Sequence, residues 1–365
     1  GVPTSWRHGV QADLIEARLK ADTQHAIKAV CVVHNETSTG VTSDIAAVRR
    51  AIDAAKHPAL LMVDTISGLA CADYRHDEWG VDVSVSGSQK GLMLPPGISF
   101  NAISPKALEV SRTARMPKAF WAWDEIVEMN TKGYWPYTPS TNLLYGLSEA
   151  CDMILNPHHG GLPGVLARHQ RWAAAARAAV NTWGLAIQCA DPAVYSPVLT
   201  GVMMPEGVDA DAVRQCIYER FDCSLGTGLG KVKGRMFRIG HLGDVNDLTL
   251  IGALAACEMG LKLAADGAMI GQRAIVHQAL VRADRERMRT LRGHCGFGGH
   301  PGVGHPLPAA GGAQAEAVGD MTGFTPGKWA ADPSQYTPGR QVQRMQQNDA
   351  WDQGIGAGVG HLITN

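Results

Sequence analysis

Three residues able to act in concert stand at similar places along the chain, each just past the end of a short apolar run: Thr37, Asp64 and Lys90. A lysine forms an imine with an aldehyde once its amine is deprotonated, which a low-dielectric crevice favours. A carboxylate beside it can pair with a protonated pyridine nitrogen and keep such a ring an electron sink. The small residue Thr37, or its neighbour His34, can then lie against the ring. Delivered to one crevice, the three would hold a pyridine cofactor. The spacing alone favours the plainer reading, a solvated surface lysine and a strand-end aspartate that caps a turn.

The elements that would have to position them are legible as patterns. A short amphipathic helix is predicted over 11–20, then a mostly apolar strand over 27–33. The polar turn 34–40 follows, and Ser43 or Asp44 can cap a helix whose Ile45, Val48 and Ile52 recur at helical spacing. Further strands are predicted over 59–63, 81–86 and 98–103. Short apolar strands alternating with helices predict an α/β fold with a mainly parallel sheet, and its ligands lie beyond the carboxyl ends of the strands. Beyond about residue 142 come helical patterns at 142–156 and 163–183, strands near 184–189 and 197–204, a helix at 209–220, a strand at 235–239 and a helix at 246–264. This reads as a smaller α+β domain, so the expected division is 1–145, 146–265 and a tail over 266–365. That tail holds 18 of the 42 glycines and, after a helical start at 270–292, no sustained periodicity, so it is expected to be largely disordered.

Composition narrows the class. With 33 Lys plus Arg against 34 Asp plus Glu, the net charge is −1, and no basic block offers an electrostatic reason to bind nucleic acid or an anionic membrane. No apolar run approaches the roughly 18–20 residues that span a bilayer, and the first residues lack the basic and apolar parts of a secretory signal. The 8 cysteines are scattered with no Cys-x-x-Cys pair, which argues against a zinc or disulfide framework. A soluble, reduced, cytoplasmic protein is expected. Gly226-Thr227-Gly228-Leu229-Gly230-Lys231 imitates a nucleotide loop but fails both the Rossmann and the P-loop spacing, and is read as a flexible loop entering the strand of Arg238. His294, Cys295, His300 and His305 lack spaced partners, and no metal site is expected.

The local sequences around the three residues carry more information than their spacing. His34-Asn35-Glu36-Thr37-Ser38-Thr39-Gly40-Val41, Val63-Asp64-Thr65-Ile66-Ser67-Gly68 and Ser86-Gly87-Ser88-Gln89-Lys90-Gly91 occur in order, closed by Pro95-Pro96-Gly97. With Tyr134-Trp135-Pro136-Tyr137-Thr138-Pro139 and Met236-Phe237-Arg238-Ile239-Gly240, they resemble the class V, fold-type-I pyridoxal-phosphate aminotransferases of the serine–glyoxylate and alanine–glyoxylate branch. The resemblance runs from about residue 8 to about 264. It implies a truncated large domain carrying the cofactor, pyridoxal 5'-phosphate, followed by a small C-terminal domain.

By position, the resemblance makes Lys90 the Schiff-base lysine and proton shuttle, and Asp64 the partner of the pyridine nitrogen. Thr37 would sit at the ring oxygen or ring face and Gln89 near the phosphate. Thr138, with Tyr137 or Tyr134 nearby, would reach the phosphate in a neighbouring subunit, which implies a homodimer or larger homo-oligomer. Arg238 would clamp the substrate carboxylate, a task that suits a planar guanidinium. The implied reaction moves the amino group of L-serine to glyoxylate, giving hydroxypyruvate and glycine. The family's N-terminal arm, its phosphate-binding turn and a ring-stacking aromatic are expected ahead of residue 1, and the tail matches nothing in the family. Cys71 stands where a small residue is usual. Two other readings stay open: a catalytically silent chain that keeps the motifs, and another class V enzyme such as a cysteine desulfurase, although no cysteine sits in an obvious mobile loop. Trp121, Trp123 and Trp135 are expected to pack or to line an interface.

Overall fold

The computed structural model describes residues 1–2 and 5–265, so the expectations for the 266–365 tail, its four metal-type residues included, lie outside the described residues. The first half comprises α1 (Ala12–Ala21), β1 (Ala29–Val33), β2 (Asn35–Glu36), β3 (Val41–Thr42), α2 (Ile45–Ala54), β4 (Leu60–Asp64), β5 (Val83–Gly87) and β6 (Ser99–Ile103). It continues through α3 (Pro105–Thr113), α4 (Trp123–Thr131) and α5 (Thr141–Leu155). The second half holds α6 (Gly161–Thr182), β7 (Ala186–Ile187), β8 (Leu199–Met203), α7 (Ala210–Phe221), β9 (Gly226–Thr227), β10 (Met236–Gly240) and α8 (Asp247–Ala265).

The first sheet has the order β1-β4-β5-β6. β1, β4 and β5 are parallel, with Val33 opposite Asp64 and Asp64 opposite Val85. β6 returns antiparallel, because residues 88–98 hold no crossover helix that could bring it back in the same sense. Val32, Leu61 and Val63 face Ile45, Val48 and Ile52 of α2 and Ile15 and Leu19 of α1, which fill that side of the sheet. The cap of α2 is Asp44, whose carboxylate accepts from the Ala47 amide at 2.8 Å. Because side chains alternate along a strand, Val33, Asp64 and Val85 form a row on the opposite face.

The second sheet, β7-β8-β10-β9, is wholly antiparallel. Its core joins Val202, Phe237 and Ile239 to Val180 of α6, Ile217 of α7 and Leu261 of α8. Gly226-Thr227, expected in a flexible loop, pairs as β9 with Phe237 and Arg238, so the strand of the arginine is flanked on both sides. No helix among the described residues is long and apolar enough to cross a membrane.

α7 and α8 approach closely at Gly260, where a Cβ would lie 2.1 Å from Ile217 Cγ1. Gly260→Ala is therefore expected to destabilise by about 1–3 kcal/mol, in spite of the roughly 1 kcal/mol that alanine gains in a helix. Urea unfolding followed by circular dichroism checks it, and a stabilised variant would contradict this packing.

Candidate active site

The carboxyl ends of β1, β4 and β5 bring Thr37, Asp64 and Lys90 to one edge of the first sheet. The edge is stitched by backbone bonds: the His34 amide donates to the Asp64 carbonyl at 2.9 Å and the Thr65 amide to the Val85 carbonyl at 2.8 Å. Two side-chain clamps hold its loops. Asn35 Nδ2 donates to Ser67 Oγ at 2.8 Å while Ser67 Oγ donates to the Asn35 carbonyl at 2.7 Å, joining the loop after β1 to the loop after β4. Ser88, fully buried, donates its hydroxyl to the Pro95 carbonyl at 2.8 Å and accepts from the Ile98 amide, which ties the lysine turn to the Pro95-Pro96-Gly97 segment. All three clamp side chains, Asn35, Ser67 and Ser88, lie inside the motifs quoted above. Sequence reading gave them no role, because a Ser or Asn in a loop carries no sign of its partner.

Asp64 is half-buried, and its Oδ1 accepts from the Ile66 amide at 2.8 Å. Burial pushes its pKa up, the Ile66 hydrogen bond opposes this, and the Glu36 carboxylate raises it further. Among the described residues it has no cationic partner, so a cation against it would recover the charged form. That donor set fits a protonated pyridine nitrogen. Glu36 in turn accepts from the Ser38 amide and hydroxyl at 2.8 and 2.7 Å, and its carbonyl accepts from Gly40 at 2.9 Å, so the Thr37 turn has a fixed shape.

Lys90 is half-buried and Gln89 exposed on a turn closed by the Met93 amide, which donates to the Lys90 carbonyl at 2.9 Å. The turn sits so close to the loop after β4 that a Cβ on Gly91 would overlap the Leu69 carbonyl oxygen and approach Cys71 Sγ to 2.7 Å. Cys71, fully buried, has its thiol pushed up to about 11 by burial, which makes it an inert packing group rather than a nucleophile.

His34, the alternative neighbour for the ring, does not face this space. It is 2% exposed, packed against Tyr74 and Trp79, and a Cβ on Gly68 would meet its Nδ1 at 2.7 Å. Thr37, half-buried at the edge, is the one of the two left to meet a ligand.

Arg238 arrives from the second sheet. Its Nη1 donates to the Thr37 carbonyl at 2.9 Å and its Nε to the Thr227 carbonyl at 2.7 Å, so a half-buried guanidinium stands beside the Thr37 turn. Thr138, Tyr137 and Tyr134 are exposed and are not brought to this edge by contacts within the chain. They belong to an uncovered aromatic surface in which Trp121 is 80% exposed and the Phe120 ring lies 5.1 Å from that of Tyr137. An open groove of about 730 Å³ lies at the other end of the strands, where Arg49 pairs with Asp53 and Lys106 with Asp82.

Residues 7–218 match the family model described as Aminotransferase class-V. The chain is 48% identical over 258 residues to an L-aspartate–glyoxylate aminotransferase of Paracoccus denitrificans, covering 71% of this chain and 64% of that protein. It is 47% identical over 262 residues to a serine–glyoxylate aminotransferase of Arabidopsis thaliana, covering 72% and 65%. The chain thus spans a little under two thirds of the length of these relatives. The crystal structure of a pyridoxamine–pyruvate aminotransferase from Mesorhizobium loti superposes with a TM-score of 0.65 at 28% identity, covering 78% of this chain and 71% of that one.

Two buried imidazoles give a pH signature. Burial lowers His34 and His241 to about 4 from an ordinary 6.5. A folded pKa below the unfolded one means that the unfolded chain binds more protons as the pH falls, so the stability present above about pH 6.5 is lost on acidification toward 4. At pH 5 each should cost on the order of 2 kcal/mol relative to pH 7.5. Thermal melts at the two pH values are expected to show the loss, and replacing His34 by Gln to remove part of it. A melting temperature independent of pH would contradict the neutral assignment.

Proposed function

The chain belongs to the class-V aminotransferases, a family of pyridoxal-phosphate enzymes, and from that premise we propose that it moves an amino group from L-serine to glyoxylate. The observation that carries the reading is the single edge that holds a cation-seeking Asp64, Lys90 and the Thr37 turn, with a guanidinium from another sheet bonded to that turn. When bound, pyridoxal phosphate supplies an aldehyde that carries the amino group and a ring that withdraws electrons. Asp64 holds the positive charge on the ring nitrogen, in an environment that lacks any other cation for it among the described residues. Thr37 lies at the ring and Gln89 near the phosphate. Lys90 is the covalent anchor, and its freed amine takes the proton from the amino-acid α-carbon and delivers it on the other side of the transfer.

Arg238 orients the substrate carboxylate. Its two backbone bonds fix the plane of the guanidinium, so a carboxylate arrives at a rigid fork instead of a mobile cation. Lysine could supply the charge at this position but not the fork. Both the amino donor and glyoxylate present such a carboxylate, and one arginine serves both halves of the reaction. The serine and glyoxylate assignment rests on the relatives named above and on the motif resemblance. The exposed aromatic surface that holds Tyr137 and Thr138 supports a homodimer in which these residues reach the partner's phosphate site, since an apolar patch of this kind marks an interface. Residues 1–145 then form the cofactor-carrying domain and 146–265 the smaller one.

Pyridoxal phosphate added to the full chain and reduced with borohydride should leave one pyridoxyl group, mapped by mass spectrometry to Lys90. Adducts spread over many lysines, or none, would overturn the assignment and favour the silent chain. In steady-state assays Asp64→Asn should lower kcat about 100-fold or more, as the loss of a charge opposite a developing one does. Arg238→Lys should raise KM for serine and glyoxylate together, by about tenfold. Aspartate used faster than serine would transfer the donor assignment to aspartate.

A further inference from the structure

We propose that His169 is a positioning residue for Lys90, holding the Gly243 amide so that Gly243 supports the lysine turn. The proposal rests on the reading of Lys90 as the site lysine.

His169 lies on α6, far from Lys90 in sequence, and is 1% exposed. Its Nδ1 faces the Val165 carbonyl at 2.8 Å, and a carbonyl only accepts, so Nδ1 carries the ring's proton. Its Nε2 is then the acceptor, and the Gly243 amide donates to it at 3.1 Å. Gly243 follows β10, at a φ of +78° that a side chain would strain. A Cβ there would sit 3.5 Å from both the Lys90 carbonyl oxygen and Met93 Cγ, ordinary contact distances, so Gly243 borders the lysine turn. The same amide lies beside Cys71, whose sulfur packs on Gly91. One histidine thus fixes the contact surface of the turn that carries Lys90.

The device works only with a neutral ring. A second ring proton would set an N–H against the Gly243 N–H, and one of them would have to leave. Around the ring stand Arg168 on its own helix, whose charge opposes a second proton, His241 from the segment that carries Gly243, and the Trp172 ring, edge-to-face at 5.2 Å and itself tied through Nε1 to Asp247 at 2.8 Å. Burial is the main cause that lowers the His169 pKa; the Val165 hydrogen bond opposes it and Arg168 adds to it. Neutrality is therefore retained at neutral pH and lost as the pH falls below the ordinary imidazole range.

The test is residue-resolved amide hydrogen exchange on the full chain without cofactor, read at Gly243, at Met93, whose amide closes the Lys90 turn, and at Val63 in the sheet centre. In His169→Leu at pH 7.5, protection should fall about tenfold or more at Gly243 and Met93 together while Val63 keeps its own. Loss at Gly243 with Met93 unchanged would overturn the proposal. If His169→Leu does not fold, the acid response decides. Between pH 7.5 and 5 the parent chain should lose more protection at Gly243 and Met93 than at Val63 after correction for intrinsic rates. His169→Gln, whose Oε1 can replace Nε2 as a non-titrating acceptor, should lose no more there than at Val63. The same loss in the Gln variant, or none in the parent, would refute the mechanism. The exchange readout needs no cofactor, so its result is separate from whether pyridoxal phosphate reaches Lys90.

Discussion

The guanidinium of Arg238 donates through Nη1 to the Thr37 carbonyl, which ties the second sheet to the edge of the first, and through Nε to the Thr227 carbonyl of its own sheet, which holds the guanidinium in place. Hydrogen bonds from a charged donor are worth about 1.5–3 kcal/mol each, more than a neutral pair, and a half-buried ion cannot give them up without finding replacements. The arginine therefore fixes the Thr37 turn as firmly as the turn fixes it. Glu36 shapes that turn from below and β9 flanks the arginine's strand from the side. Remove this junction and the two sheets would still fold around their own cores, but this hold of the guanidinium on the Thr37 turn would be lost.

Asp64 shows the second constraint. A carboxylate half out of water, with Glu36 near it and no cation among the described residues, is held in a state that favours the arrival of positive charge. Such an arrangement does little for stability. Perturbed groups at the carboxyl edge of a parallel sheet are the mark of a site maintained for binding. The well-filled cores around Ile45, Val48 and Ile52 in one half and Val202, Phe237 and Ile217 in the other supply the stability that such an edge lacks.

Support for the lysine turn comes from an unusual quarter. Close backbone approach at Gly91 leaves no room for a side chain and the positive φ of Gly243 disfavours one, so the turn is placed by what lies behind those glycines. Ser88 anchors one end, Cys71 fills the space beneath, and the loop after β10 presses from the other side. This is close packing used for position: with no side chain to flex, an error in any backing group would pass to Lys90 undiminished.

The sequence by itself determined the elements and the chemistry-bearing residues. Apolar runs and cap residues located most strands and helices of both halves, because periodic burial is a local property written into residue order. The two-residue pair β2 and β3, however, lies in and beside the stretch read as a polar turn. The ordered motifs around Thr37, Asp64 and Lys90 gave the family, since those loops carry their function in backbone shape and residue type together. Two helices, Pro105–Thr113 and Trp123–Thr131, were not read; they bury only Ala107 between them, although Ser104 ahead of Pro105 is a helix-start signal. The pairing of Gly226-Thr227 was hidden as well, glycine being a poor advertisement for a strand. Only the tertiary structure decided that His34 turns away from the ligand edge, that Arg238 reaches the Thr37 carbonyl across 201 positions of sequence, and that His169 stands behind Gly243. Each of those facts is a contact between segments whose separation in the chain says nothing of their distance in space. The burial that sets their charge states exists only once the core has closed around them.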